Sequence, residues 1–410
     1  MPKILLINNY HYRRGGADVV YLEQARLLRE RGWKVVELAM RHPQNEASEY
    51  SGHFVEEIEY GRQNGWLQKL RHAAKVVYSR EAAREVESLI RQERPDVVHA
   101  HNVYHHLSPA VLHAANRNEV PVVLTAHDLK LLCPAIGMYS SGSVCEDCRT
   151  QGRFSVVRKR CQKDSLPLSA LVYVESTIHD WTGIYRNSVD RMISPSRFLI
   201  EKFAEWGWQG APFSHIPNFV DITSMQPSYE AGQHFLYFGR LAPEKGLATL
   251  IDAVSKSKTA LWMVGTGPDE MELRLQAERL GANVRFLGYQ TGPALWELVR
   301  SCRAVVVPSK LYENAPLTVI EAYACGKPVL GARIGGIPEL IRPGETGALF
   351  ASGDSDELAS ALREYANKSP ADIAELGIAA RAWAEEEFTV EKHVSRLFEA
   401  YGLAGARLSA

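Results

Sequence analysis

The sequence predicts an α/β protein made of two doubly wound domains facing across a cleft. Two observations carry this. Short apolar runs recur, each followed by a polar or glycine-containing loop and then by apolar residues at helical spacing. That is the pattern of buried parallel strands joined by right-handed helical crossovers. The rhythm also runs twice, from the N-terminus and again from His234. A chain of 410 residues is long for one core, so two domains are the default.

Taken in order, Lys3–Ile7 (KILLI) lacks polar alternation and reads as a buried strand. Asn8 to Gly16 is a loop. Val20, Leu22, Leu27 and Leu28 have helical spacing, and Gly32 ends that helix. Trp33–Leu38, Asp96–Ala100, Pro121–Thr125 and Arg191–Ile193 read as further strands. A cysteine-bearing insertion covers 133–161. After His234, strands are expected at Phe235–Phe238, Ala260–Val264, Val284–Leu287, Ala304–Val307 and Pro328–Leu330. Expected boundaries are 1–195 for the first domain, 196–385 for the second, and 386–410 for a C-terminal helix that crosses back to the first.

Composition sets limits. Hydrophobic content of 46% and charge of 23% suit a soluble globular protein. A net charge of −1 gives no reason to expect nucleic-acid binding. No apolar run approaches the roughly 18 residues of a membrane span, and MPKILLINNY enters a strand directly. The expectation is a cytoplasmic protein with reduced thiols.

The chemistry centres on Ser309–Pro328, SKLYENAPLTVIEAYACGKP, where seven residues separate Glu313 from Glu321. Pro316 disfavours helix at the residue before it and suits the first position of a helix. Glu313 is therefore expected in a loop, and Glu321 about a turn inside a helix ending at Gly326. The free amides near Leu317 and Thr318 make an anion site at the helix start. A phosphate flanked by two polyhydroxyl groups, as in a nucleotide sugar, matches an anion cradle between two carboxylates. Glu321 suits a ribose diol and Glu313 the sugar hydroxyls.

Other loops after strands add to this. Gly15-Gly16 allows close backbone approach to a ligand. His127 follows the strand ending at Thr125, and its imidazole can bond a sugar hydroxyl or exchange a proton. His101 ends the preceding strand. Arg240 and Lys245, on the glycine-bounded loop Gly239–Gly246, pair a forked donor with a point charge, which suits a diphosphate. Gly265 and Gly267 form part of a dinucleotide fingerprint without its third glycine. Leu287, between Phe286 and Gly288, is a candidate wall of a base pocket. ARIGGIPEL is expected to flank the same crevice.

GR-x3-EKG, VGTGP, the E-x7-E stretch, ACGKPV and IGGIPELI…GETG together resemble the retaining glycosyltransferases of family 4. GGAD near Gly15 and SPS–IPNFVD at 194–221 match as well. The resemblance implies a GT-B fold of two Rossmann-like domains, with acceptor bound by the first and nucleotide-sugar donor by the second. It implies that Arg240 and Lys245 contact the diphosphate, Glu321 the ribose, Glu313 the donor sugar, and His127 that sugar from across the cleft. It also implies retention at the anomeric carbon. No cofactor is expected for catalysis. Asn314-Ala315-Pro316 departs from the glycine-rich run many members carry there, which points to these three residues for donor-sugar choice. UDP- and GDP-sugars are the leading donors, with a glycan or other glycoconjugate of cell-surface polysaccharide synthesis as acceptor. Rival readings are a nucleotide-sugar epimerase or hydrolase, and a non-catalytic sugar-nucleotide-binding protein.

Cys133, Cys145, Cys148 and Cys161 form C-x11-C-x2-C-x12-C. This spacing fits a structural zinc site, with free thiols, an iron–sulfur cluster or disulfides as alternatives. Two stretches, Arg62–Arg80 and Arg149–Lys163, are basic with no acid. Such segments suit anionic lipid at the inner face of a plasma membrane, an anionic acceptor, or plain solvation. Either a monomer or a homodimer is compatible with the sequence.

Overall fold

The computed structural model describes residues 1–57 and 66–407. Its two halves each carry a six-stranded, all-parallel sheet. In the first half the strands are β1 (Lys3–Ile7), β2 (Lys34–Leu38), β3 (Val97–Ala100) and β4 (Val122–Thr125). A small hairpin, β5 (Tyr139–Ser140) and β6 (Ser143–Val144), stands apart, and β7 (Arg191–Ser194) and β8 (Phe213–His215) follow. The sheet order is β2-β1-β3-β4-β7-β8. The second sheet uses β9 (Phe235–Phe238), β10 (Leu261–Val264), β11 (Val284–Phe286), β12 (Ala304–Val307), β13 (Val329–Ala332) and β14 (Gly347–Phe350). Its order is β11-β10-β9-β12-β13-β14. In both sheets the order reverses beside the first strand, and such a switch point opens a crevice at the C-terminal strand ends.

Helices cover both faces. The first half has α1 (Gly16–Glu30), α2 (Trp66–Val77), α3 (Arg80–Glu93), α4 (Ala110–Arg117), α5 (Asp147–Thr150), α6 (Ser155–Arg158), α7 (Leu166–Thr182), α8 (Ile184–Ser188) and α9 (Arg197–Glu205). The second has α10 (Leu247–Ser257), α11 (Glu270–Arg279), α12 (Gly292–Ser301), α13 (Leu317–Ala324), α14 (Ser355–Asn367) and α15 (Pro370–Glu387). The final helix, α16 (Val390–Leu403), returns to the first half. Leu397, Ala400 and Tyr401 pack there with Ile4, Leu6 and Trp33.

Most strands form where apolar runs stand, because a strand buried on both faces has no polar side. Besides the β5-β6 hairpin, two strands of the large sheets were not expected. β8 pairs with β7 beyond residue 195, so the first sheet continues past the boundary read from the sequence. β14 pairs with β13. The basic stretch Arg62–Arg80 is described from Trp66 onward; Arg62 lies outside the described residues. Among the described residues no helix is long and apolar enough to cross a membrane.

Candidate functional site

A cavity of about 610 Å³ lies between the two sheets at their C-terminal ends. The first half contributes Tyr10, Arg14, Gly15, Gly16, Asp18 and Asn102 to its lining. Gly239, Arg240, Lys245, Ser309, Glu313, Pro316 and Thr318 line it from the second. Small-molecule sites are commonly about 300–1,000 Å³, so a nucleotide sugar has room.

Pro316 is the N-cap of α13, in extended conformation, and Gly326 lies just past its end at φ +73°. Glu313 thus sits in the loop before the helix and Glu321 inside it. The Glu313 carboxylate accepts from Lys245 Nζ at 2.6 Å and from Ser309 Oγ at 2.7 Å. Its side chain is 14% exposed and that of Lys245 28%, so the pair is only partly screened. The Lys245 loop runs from β9 into α10, and Tyr237 OH donates to Arg240 O at 2.7 Å. Burial pushes the Glu321 carboxyl up to about 7.

Several residues expected at the donor site have other surroundings. A Cβ on Gly265 would lie 1.9 Å from Gly239 O, and one on Gly267 2.1 Å from Leu241 O. These glycines let one backbone loop cross another and do not line the cavity. Leu287 packs against the second-half core beside Val264 and Trp262. Leu317 joins an apolar seam with Val20, Leu27, Phe219 and Val394 between the halves. Ala315 is buried, and its carbonyl accepts from Asn218 Nδ2 at 2.8 Å. Asn314 turns its side chain to the first half, where Nδ2 donates to Ala126 O at 3.0 Å and His127 O at 3.2 Å.

His127 lies two residues past the end of β4 and is not part of the cavity lining. One of its ring nitrogens, Nε2, bonds His101 Nδ1 at 2.8 Å, and the two rings stack at 5.1 Å. Burial pushes His127 down to about 3, so the ring is neutral at pH 7. It can hydrogen-bond a hydroxyl, and burial opposes its protonation near neutrality. His101 is fully buried, so it supports His127 from behind.

The four cysteines of the insertion are free thiols. Cys145 Sγ accepts from Lys159 Nζ at 3.4 Å, and Cys148 Sγ donates to Arg153 O at 3.9 Å. Cys133 is buried. Burial and the other three cysteines push the Cys148 thiol up to about 12. Among the described residues no group of three or more His, Cys, Asp or Glu is placed to hold a metal ion. The four thiols lie near enough to act on one another electrostatically, and zinc at these cysteines stays a proposal from their spacing.

Tyr10, Arg14, Asp18, Asn102 and Tyr237 were not singled out from the sequence. Tyr10 and Arg14 precede Gly15-Gly16, and the guanidinium lies 4.3 Å from the Tyr10 ring centroid. That cation next to a glycine pair was the available signal. Asn102 directly follows His101 and donates its backbone N–H to Asn8 Oδ1.

Comparison with known proteins agrees with this geometry. The family described as Glycosyltransferase Family 4 matches residues 14–224, and that described as Glycosyl transferases group 1 matches 223–383. An uncharacterised 42.6 kDa protein of the cps region of Klebsiella pneumoniae is 26% identical over 352 residues, 83% of this chain and 87% of its own length. A phosphatidyl-myo-inositol mannosyltransferase of Mycobacterium leprae is 29% identical over 251 residues, 57% of this chain and 66% of that protein. Among solved structures, sucrose-phosphate synthase of Thermosynechococcus elongatus superposes with TM-score 0.71 at 20% identity, covering 100% of both chains. HepE of Anabaena in complex with UDP superposes with TM-score 0.68 at 21% identity, covering 98% of this chain and 100% of the other. These likenesses establish the GT-B fold, and with family matches that together run from residue 14 to residue 383 the chain belongs to glycosyltransferase family 4.

Proposed function

We propose that the cleft binds a UDP- or GDP-sugar and transfers the sugar, with retention and without a metal, to a glycan, lipid-linked or other glycoconjugate acceptor. The observation that carries this is the pairing of Lys245 with Glu313 in a cavity that also holds Arg240 and the start of α13. Fixed cations and helix amides suit the charge that grows on a departing diphosphate. The anomeric C–O bond to the diphosphate breaks and the acceptor oxygen bonds that carbon on the same face. The acceptor proton leaves on the diphosphate. Glu313 holds sugar hydroxyls, Glu321 the ribose, and neutral His127 a further hydroxyl from the first domain. The relatives' names, a protein of a cps region and a phosphatidyl-myo-inositol mannosyltransferase, support cell-surface glycoconjugate synthesis.

The acceptor side fits peripheral contact with an anionic membrane. Val174, Ile178 and Trp181 form an exposed apolar stripe on α7, with Trp181 87% exposed, beside the basic run Arg149–Lys163. Flotation with anionic vesicles tests this, and absence of binding would remove it.

The central test is a thermal-shift panel of UDP, GDP and their sugar conjugates, followed by turnover of the best donor. Glu313→Ala is expected to keep nucleotide binding and lose turnover. No stabilisation by any nucleotide would sink the proposal, and strict dependence on Mg²⁺ or Mn²⁺ its metal-independent part.

A further inference from the structure

Glu313 and His127 belong to different halves of the molecule, so something must fix one against the other. We propose that Asn314 is an interdomain latch, a positioning residue that holds Glu313 opposite the strand end carrying His127 when the cleft is closed. This rests on the reading of the cleft as a nucleotide-sugar site.

All the hydrogen-bonding capacity that Asn314 shows is spent on the first half. Nδ2 has two hydrogens, and two carbonyls, Ala126 O and His127 O, receive them at 3.0 and 3.2 Å. Oδ1 accepts from Ser196 Oγ at 2.6 Å. Ser196 is itself fixed as the N-cap of α9, where Oγ accepts from Leu199 N at 3.1 Å. The latch therefore closes on a strand end and a helix start, both rigid.

The loop is equally held from behind. Gly336 N donates to Glu313 O at 2.7 Å. A Cβ on Gly335 would lie 2.3 Å from Glu313 O, and one on Gly336 1.8 Å from Asn314 O. The second-half backbone thus backs directly onto the latch. A parallel contact accompanies it, since the Glu339 carboxylate accepts from Arg197 N at 2.8 Å and Phe198 N at 2.5 Å. Opening the cleft must break both. The residue type matters because a carboxylate in place of the amide would set an oxygen against two carbonyls. Asp is nearly isosteric with Asn, so it separates hydrogen bonding from packing.

The experiment compares wild type, Asn314→Ala and Asn314→Asp as full-length proteins. UDP and GDP affinity, turnover of the matching nucleotide sugar, and the radius of gyration by small-angle X-ray scattering with and without nucleotide are measured. Nucleotide affinity is expected to stay within about threefold, because the nucleotide contacts proposed lie in the second half. Loss of partners for buried carbonyls predicts about a tenfold or larger fall in kcat for Ala, and a greater fall for Asp. The Asp variant should also stay extended when nucleotide is added. Glu339→Gln should shift compactness the same way to a smaller extent. An Asp variant equal to wild type in kcat and compactness overturns the latch, as does an Ala variant whose loss lies wholly in nucleotide affinity. If wild type binds no nucleotide, the functional reading fails, while the radii of gyration without nucleotide still decide the latch.

Discussion

Replacing Glu321 by Gln should stabilise the empty protein while weakening its grip on nucleotide. Burial moves the Glu321 carboxyl from 4.5 to about 7. Because the folded value lies above the unfolded one, the native state binds the proton more readily. Wild-type stability is therefore lost as pH rises from about 4.5 to about 7, and the full penalty is present above that window. At 1.36 kcal/mol per pH unit the penalty is at most about 3 kcal/mol, and partial exposure of the residue reduces it to about 1–3 kcal/mol. Gln carries no such penalty. For a domain of this size about 2 kcal/mol moves Tm by roughly 4–8 °C. Thermal unfolding at about pH 5 and pH 8, with and without UDP or GDP, measures it. The variant should melt several degrees above wild type at the higher pH, with the gap narrowing at the lower. The shift caused by nucleotide should shrink, because a ribose diol loses its charged acceptor. A variant that melts at or below wild type at the higher pH would refute the reasoning, as would a gap that ignores pH.

Three further outcomes are expected. Lys245→Met removes the cation at 2.6 Å from Glu313 and should weaken UDP or GDP binding about tenfold to a hundredfold by titration calorimetry; unchanged affinity would place the diphosphate elsewhere. Gly267→Ala puts a Cβ 2.1 Å from Leu241 O, so urea denaturation should show a loss of about 2–4 kcal/mol, with Arg240 displaced and turnover reduced. His127→Gln should retain more activity than His127→Ala, and neither should alter the pH–rate profile between about pH 6 and 8, because the imidazole is already neutral there. A titration lost with the imidazole would restore an acid–base role.

Strand positions were legible because parallel strands buried on both faces leave apolar runs in the sequence. β8, Phe-Ser-His, escaped because it is a partly exposed edge strand of three residues with a polar centre. In the site, Pro316 and the glycine-bounded loop of Arg240 and Lys245 were legible because proline and glycine restrict backbone geometry. Of the residues contributed by the facing domain, Gly15-Gly16 was legible and the others were not. Tyr10, Arg14 and Asn102 meet Arg240 and Glu313 only through the angle between two sheets, which no local pattern encodes. Gly265-Thr-Gly267 was misleading for a related reason. Glycine lets a backbone approach closely, and here the neighbour is the backbone at Gly239 and Leu241. Asn314 was read for sugar choice because it stands where many family members carry a glycine-rich run, and its side chain points to Ala126 and His127.

Lys245 offers a link between nucleotide binding and the sugar on the proposed reading. Its ammonium pairs with Glu313, so the carboxylate is partly neutralised and partly occupied. A diphosphate is a stronger claimant on that ammonium, since it brings more negative charge and further acceptor oxygens. Sharing Lys245 with the diphosphate would free Glu313 for the sugar hydroxyls, while Ser309 Oγ keeps the carboxylate oriented. Arg240, on the same loop, would hold the loop to the diphosphate. The carboxylate would then become available only once the diphosphate is in place. A free sugar, which brings no charge to compete for Lys245, should bind weakly. Addition of UDP or GDP should strengthen that binding, and equal sugar affinity with and without nucleotide would show that the pair is not exchanged.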